Sequence, residues 1–143
     1  MIYTEEPAGF ESEMTVAAVY IFCSDKILLL KRLPHKPQGG LFGLPAGKVD
    51  AGESVLDALM REVSEETGLT IGSDELESVD TFWVEHDGLQ FEYHTYKIKL
   101  GSEPCVELRP EEHAGHCWVT LAESLELPLV EDQAFCTKHS FGL

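Results

Sequence analysis

Three glutamates, Glu62, Glu65 and Glu66, stand within five consecutive positions of the run REVSEETGL. At helical spacing Glu62 is three residues from Glu65 and four from Glu66, so the three carboxylates fall within about 100° of arc and share a face. Carboxylates placed this way repel one another, at roughly a few tenths of a kcal/mol per pair on an isolated helix. They also lie toward the C-terminal end, where the helix macrodipole favours cations. Arg61 is the only basic residue between Val55 and Thr67. Two readings of such a cluster stand: the solvated side of an amphipathic helix, or a grip on a hard divalent cation. Mg²⁺ suits the second reading because it takes carboxylate and water oxygens and is completed by substrate phosphates.

The helix that must carry these residues is bounded by local signals. Ser54 is a good N-cap with Asp57 three residues later, and Gly68 stands where a left-handed C-terminal residue is wanted, with apolar Leu69 after it. Val55, Leu56, Leu59, Met60 and Val63 recur with a period of 3.6 residues and predict one core-facing side. Before this helix, MTVAAVYIFC (Met14 to Cys23) and KILLL (Lys26 to Leu30) are β-branched or aliphatic runs separated by Ser24-Asp25, which predicts a hairpin. Leu33 to Gly43, with two prolines and three glycines, predicts a loop. After the helix, Leu76 to Glu85 and Phe91 to Leu100 predict strands joined at Asp87-Gly88. Further strands are expected at Cys105 to Leu108 and at His116 to Leu121, then helical segments at Ala122 to Leu125 and Glu131 to Lys138. Strands interleaved with few helices imply a mixed sheet covered by helices.

The 143 residues suit a single domain, 1–143, in which residues 1–12 are expected to form a polar leader. The net charge of −16 makes nucleic acid or an anionic membrane surface a poor partner, while leaving room for a small anion held through a cation. Cys23, Cys105, Cys117 and Cys136 form no C-x-x-C pair, and three of them lie in apolar runs, so buried free thiols are expected. No secretory leader and no membrane span is written in the chain, which points to the cytoplasm.

A second chemical feature is a basic stretch. Lys26, Lys31, Arg32, Lys36 and Lys48 fall in 23 residues that contain no Asp or Glu. Such a stretch serves equally as a solvated strand edge or as a hold on a phosphate tail; Arg32 is best suited to bidentate phosphate contact, with Lys31 and Lys48 beside it. Phe42, Phe82, Trp83, Tyr93 and Trp118 are available to stack on a base, although most aromatics of this kind fill cores. The histidines, His113 and His116 among them, show no metal-ligand spacing and are expected at the surface or in hydrogen bonds.

Gly47, Glu53, Arg61, Glu62, Val63, Glu65, Glu66, Gly68 and Leu69 match the Nudix box, G-x5-E-x7-R-E-U-x-E-E-x-G-U with U a bulky aliphatic residue, at every fixed position. From average residue usage such a match arises by chance about once in 10⁹ starting points. The chain therefore resembles the Nudix hydrolases. The resemblance implies an α/β fold, a Nudix-type α/β/α sandwich with a mixed central β-sheet. It also implies hydrolysis of a diphosphate linkage in a small nucleotide with Mg²⁺, or Mn²⁺, as cofactor. Glu62, Glu65 and Glu66 are the implied metal ligands. Glu53 is implied as a further ligand or as a partner of Arg61, Arg61 as an orienting residue, and Gly47 as the point where backbone approaches the metal. The segment EEHAGHCW resembles the loop from which MutT-like members draw a general base, which points to Glu112, with Glu111 next; a box glutamate is the competing base. Asp132 falls where some MutT-like members read the base of the substrate.

A nucleoside triphosphate, ordinary or modified, is the expected substrate of a monomer or homodimer. ADP-ribose, nucleotide sugars and dinucleoside polyphosphates are alternatives, and LPAGK differs by Ala46 from the FPGGK form common in MutT-like members. A non-catalytic nucleotide-sensing module would share the fold, but such modules usually lose box glutamates, and none is lost here.

Overall fold

In the computed structural model, which describes residues 1–143, the elements follow in order as β1 (Ile2–Tyr3), β2 (Met14–Cys23), β3 (Lys26–Arg32), β4 (Phe42–Gly43), β5 (Ala46–Lys48), α1 (Val55–Thr67), β6 (Glu77–His86), β7 (Leu89–Leu100), β8 (His113–Thr120), α2 (Leu121–Ser124) and α3 (Gln133–Phe141). One mixed eight-stranded sheet runs β1-β6-β7-β2-β3-β4, with β5 also paired to β2 and β8 to β3. The β2–β7 pair is parallel over ten residues, from Met14↔Phe91 to Cys23↔Leu100, and every other pair is antiparallel. No helix is long and apolar enough to cross a membrane.

The central strand β2 explains why its sequence lacks a clean alternation. It is buried on both faces, as strands covered by helices on each side must be. Ala17, Val19 and Ile21 pack with Leu28, Leu30 and Ile98 beneath Leu59 and Val63 of α1. Ala18 and Tyr20 pack with Ile27, Leu29 and Leu44, joined by Leu121 of α2 and Phe141 of α3. The two cores make the helix-sheet-helix layering. Tyr20, fully buried, is tied to α3 by its hydroxyl against Thr137 Oγ1 at 3.1 Å and by Gln133 Nε2, which donates to it at 3.2 Å.

Helix α1 forms for the reasons legible in its ends. Ser54 Oγ accepts from the Asp57 amide at 3.1 Å, and Gly68 takes φ 74°, its N–H donating to the Ser64 carbonyl. The β2–β3 hairpin also stands where expected, with Phe22↔Ile27 and Cys23↔Lys26 flanking Ser24 at φ 54°.

Several expectations are corrected. The N-terminal residues are not only a polar leader: Ile2 and Tyr3 add a strand against Val84 and Trp83, since apolar residues beside an open sheet edge complete it. The predicted loop ends in a short strand, Phe42–Gly43, against Lys31 and Leu30. Cys105 to Leu108 form no strand. Instead the Glu107 N–H donates to the Thr67 carbonyl at 2.8 Å, and Val106 and Leu108 pad the core under α1. Strand β8 begins at His113, three residues early, and α3 spans Gln133–Phe141. All four cysteines are free, but only Cys136 is buried, its thiol pushed up to about 12 by burial; Cys23 and Cys117 are half-buried and Cys105 is exposed.

Candidate active site

Strand β5 and helix α1 bring the box residues together. Ala46 and Gly47 are fixed by pairing with Ala18 and Ala17 of β2, and the helix lies across them. The Ala46 amide donates to Glu66 Oε1 at 2.9 Å. A Cβ at Gly47 would strike the Glu62 carboxyl, so any larger residue there would push that carboxyl out of its place.

Arg61 organises the other acids. Its Nε and Nη2 donate to Glu53 at 2.8 and 2.9 Å as a fork, and its Nη1 donates to Glu62 Oε1 at 2.8 Å and Glu65 Oε2 at 3.3 Å. Nη2 also donates to the Lys48 carbonyl at 3.1 Å and lies 3.3 Å from Asp50 Oδ2. Glu53 further accepts from the Asp50 amide at 2.9 Å, and these bonds hold its carboxyl down at about 2. Glu53 therefore sits as the partner of Arg61. Burial pushes Glu62 up in spite of the guanidinium beside it.

Glu66 differs from its neighbours on the helix. It is 8% exposed, no cation bonds it, and burial raises its carboxyl to about 8 against the pull of the Ala46 amide. Donor atoms of Glu66, Glu112 and His113 lie within 4.8 Å of one another. The structure thus joins Glu112 to Glu66, and it turns Glu62 and Glu65 toward Arg61. Such a set of carboxylate oxygens, with backbone drawn in at Gly47, fits a hard divalent cation.

A cavity of about 240 Å³ opens beside Glu66. Ile2, Val16, Val84, Phe91 and Tyr93 give it apolar walls; Arg32, Glu66, His113, Asp132 and Gln133 are among its polar groups. Of the predicted substrate contacts, Arg32 and Asp132 line it, whereas Lys31, Lys48 and Phe42 lie outside. Lys31 and Phe42 face one another across β3–β4, with Nζ 5.9 Å from the ring centroid, and exposed Lys48 ends β5. Arg32 Nε donates to the Pro37 carbonyl at 2.6 Å, which steadies the guanidinium. Asp132 precedes α3 at φ 68° and makes no capping bond, leaving its carboxylate free. Phe82 is core.

Sequence reasoning missed His113, which the fold turns inward. Arg32 pairs with His113 while Lys31 pairs with Gly115, so a bulge consumes Ala114. The extra residue reverses the alternation of β8 and puts His113 on the face of Arg32, Leu30 and Trp118. The only signal in the sequence was its adjacency to Glu112.

A model of the NUDIX domain matches residues 12–139. The chain belongs to the Nudix family. It is 44% identical over 106 residues to an uncharacterized Nudix hydrolase of Bacillus subtilis, YvcI, covering 73% of this chain and 65% of that protein. It is 33% identical over 116 residues to the CTP pyrophosphohydrolase of Escherichia coli, covering 80% and 81%. The Nudix domain here thus spans less than two-thirds of the Bacillus relative, and 20% and 26% of two other curated relatives that it matches. The fold superposes on the crystal structure of a MutT NUDIX hydrolase from Burkholderia pseudomallei with a TM-score of 0.75 at 26% identity, over 87% of this chain and 95% of that one.

Proposed function

We propose that this Nudix domain is a divalent-cation-dependent pyrophosphohydrolase that cleaves the diphosphate linkage of a small nucleotide, a nucleoside triphosphate or a modified one. The observation that carries this reading is Glu66: a buried box carboxylate without a bonded cation, at the wall of a cavity that also holds a guanidinium and a free carboxylate. The named activity of the Escherichia coli relative, which acts on CTP, supports the substrate class.

In this reading Glu62, Glu65 and Glu66 hold Mg²⁺, or Mn²⁺. A divalent ion supplies charge neutralisation at phosphate oxygens and favours the ionised form of water. Arg61, itself clamped by Glu53, keeps Glu62 and Glu65 oriented, as outer partners of a metal site do. Gly47 admits the backbone. Glu112 stands beside Glu66 and takes the proton from the attacking water, while Arg32 holds a phosphate by charge and hydrogen bonds. Small-molecule sites usually span about 300–1,000 Å³; the smaller cavity here suits one end of a nucleotide, the base against Phe91 and Ile2 with Asp132 accepting from its N–H groups.

The deciding experiment screens nucleoside triphosphates, ADP-ribose, nucleotide sugars and dinucleoside polyphosphates for phosphate or pyrophosphate release with Mg²⁺ and with Mn²⁺. Release from one or more triphosphates, lost in Glu65→Gln, is expected. A panel that stays intact with either ion would overturn the proposal.

A further inference from the structure

His113 is 9% exposed, and its Nδ1 is buried without a hydrogen-bond partner, the only buried side-chain nitrogen or oxygen of the protein in that condition. Leaving a buried polar atom unmatched costs roughly 1–3 kcal/mol, so such an atom asks for a partner that the chain does not supply. The imidazole makes no ion pair or hydrogen bond with Glu66 or Glu112, although donor atoms of all three lie within 4.8 Å of one another. Ligands at about 2.0–2.3 Å from one ion stand roughly 3–4 Å apart. The three side chains are close enough to share an ion after small rotations, and they make no hydrogen bond that would satisfy His113 Nδ1.

From this geometry we infer that His113 is a nitrogen ligand of a divalent cation held jointly with Glu66 and Glu112. The inference rests on the metal-dependent reading above and deepens it. Glu66, with two oxygens, belongs both to this position and to the one formed with Glu62 and Glu65. Glu112 retains its second oxygen for a proton. One imidazole among carboxylates shifts preference from Mg²⁺ toward Mn²⁺ and later transition ions, because Mg²⁺ favours oxygen ligands while imidazole binds later metals well. The adjacent Arg32, on the same face, limits how much further positive charge the position takes and so favours one ion.

Pulsed electron paramagnetic resonance on Mn²⁺-loaded protein tests this without measuring turnover. Coupling of the ion to a ¹⁴N nucleus is expected in the native protein and absent in His113→Gln. That substitution is expected to weaken Mn²⁺ at least about tenfold, the loss seen for even an outer partner, with a smaller change for Mg²⁺ by calorimetry. Mn²⁺ bound without ¹⁴N coupling, or with coupling that persists in His113→Gln, would overturn the role of His113 alone. A protein that binds neither ion would overturn the proposed function with it.

Discussion

Arg61 gives Asp50, Glu53, Glu62 and Glu65 a guanidinium nitrogen at 3.3 Å or less, whereas no cation bonds Glu66 or Glu112. The two clusters share carboxylates from one short segment, yet their titration is pushed in opposite directions: Glu53 is held down at about 2 by Arg61, and Glu66 is raised to about 8 by burial. The difference teaches what each cluster is built to receive. The first carries a cation within the chain: Arg61 neutralises Glu53 and orients Glu62 and Glu65 by one oxygen each, leaving the other oxygen of each open. The second has no cation within the chain, and that is the place the proposed divalent ion would take.

The strongest way to break this comparison is Glu66→Gln. The amide oxygen can still accept from Ala46, so the fold should hold, while turnover should fall at least about a thousandfold, or about 4 kcal/mol in the barrier. Near-native kcat in this variant, with circular dichroism unchanged, would equate the two clusters.

The next effect appears in metal-free protein. Below pH 4.5 Glu66 is protonated whether folded or not. Between 4.5 and about 8 the unfolded chain ionises while the folded one keeps its proton, so stability falls as pH rises and levels above 8. Glu66→Gln should remove this loss, on the order of 2–4 kcal/mol at pH 8, read from urea midpoints in chelator at pH 4 and 8. Glu53 works with the opposite sign, adding stability above 4.5 that disappears as pH falls toward 2.

Glu112→Gln should lower kcat about a hundredfold, the scale of a lost general base; an undiminished rate would move the base to a box glutamate. Arg61→Lys keeps the charge and loses the fork, so divalent-ion affinity should drop about tenfold by calorimetric titration. The smallest effect belongs to Asp50→Asn. Its side chain is 65% exposed, and the urea midpoint should report less than about 0.5 kcal/mol.

Local order made much of this legible in the residues. The Ser54 and Gly68 caps, the β2–β3 hairpin and the box itself lie within short stretches of chain, which a sequence displays directly. The apolar arc of α1 was legible for the same reason: Leu59 and Val63 are fully buried as their period requires. Substrate contacts were harder. Lys31, Phe42 and Lys48 have suitable chemistry, but the β3–β4 pairing sets Lys31 against Phe42, and Lys48 ends β5 opposite Val16, so none of them lines the cavity that Arg32 enters. Ile2 lies on the same cavity because the N-terminus closes a sheet edge against Val84, 82 positions away, and no local pattern encodes that.

By itself the sequence determined that three glutamates share a helix face, because 3.6-residue periodicity is a property of consecutive residues. Only the tertiary structure decided how that face divides: Arg61 and Glu53 claim Glu62 and Glu65, while packing against β5 buries Glu66. A bulge in β8, visible only once β3 and β8 are paired, then turns His113 toward Glu66 and Glu112. Charge neutralisation, burial and register each depend on partners distant in the chain, and a carboxylate's role is set by those partners rather than by its neighbours in sequence.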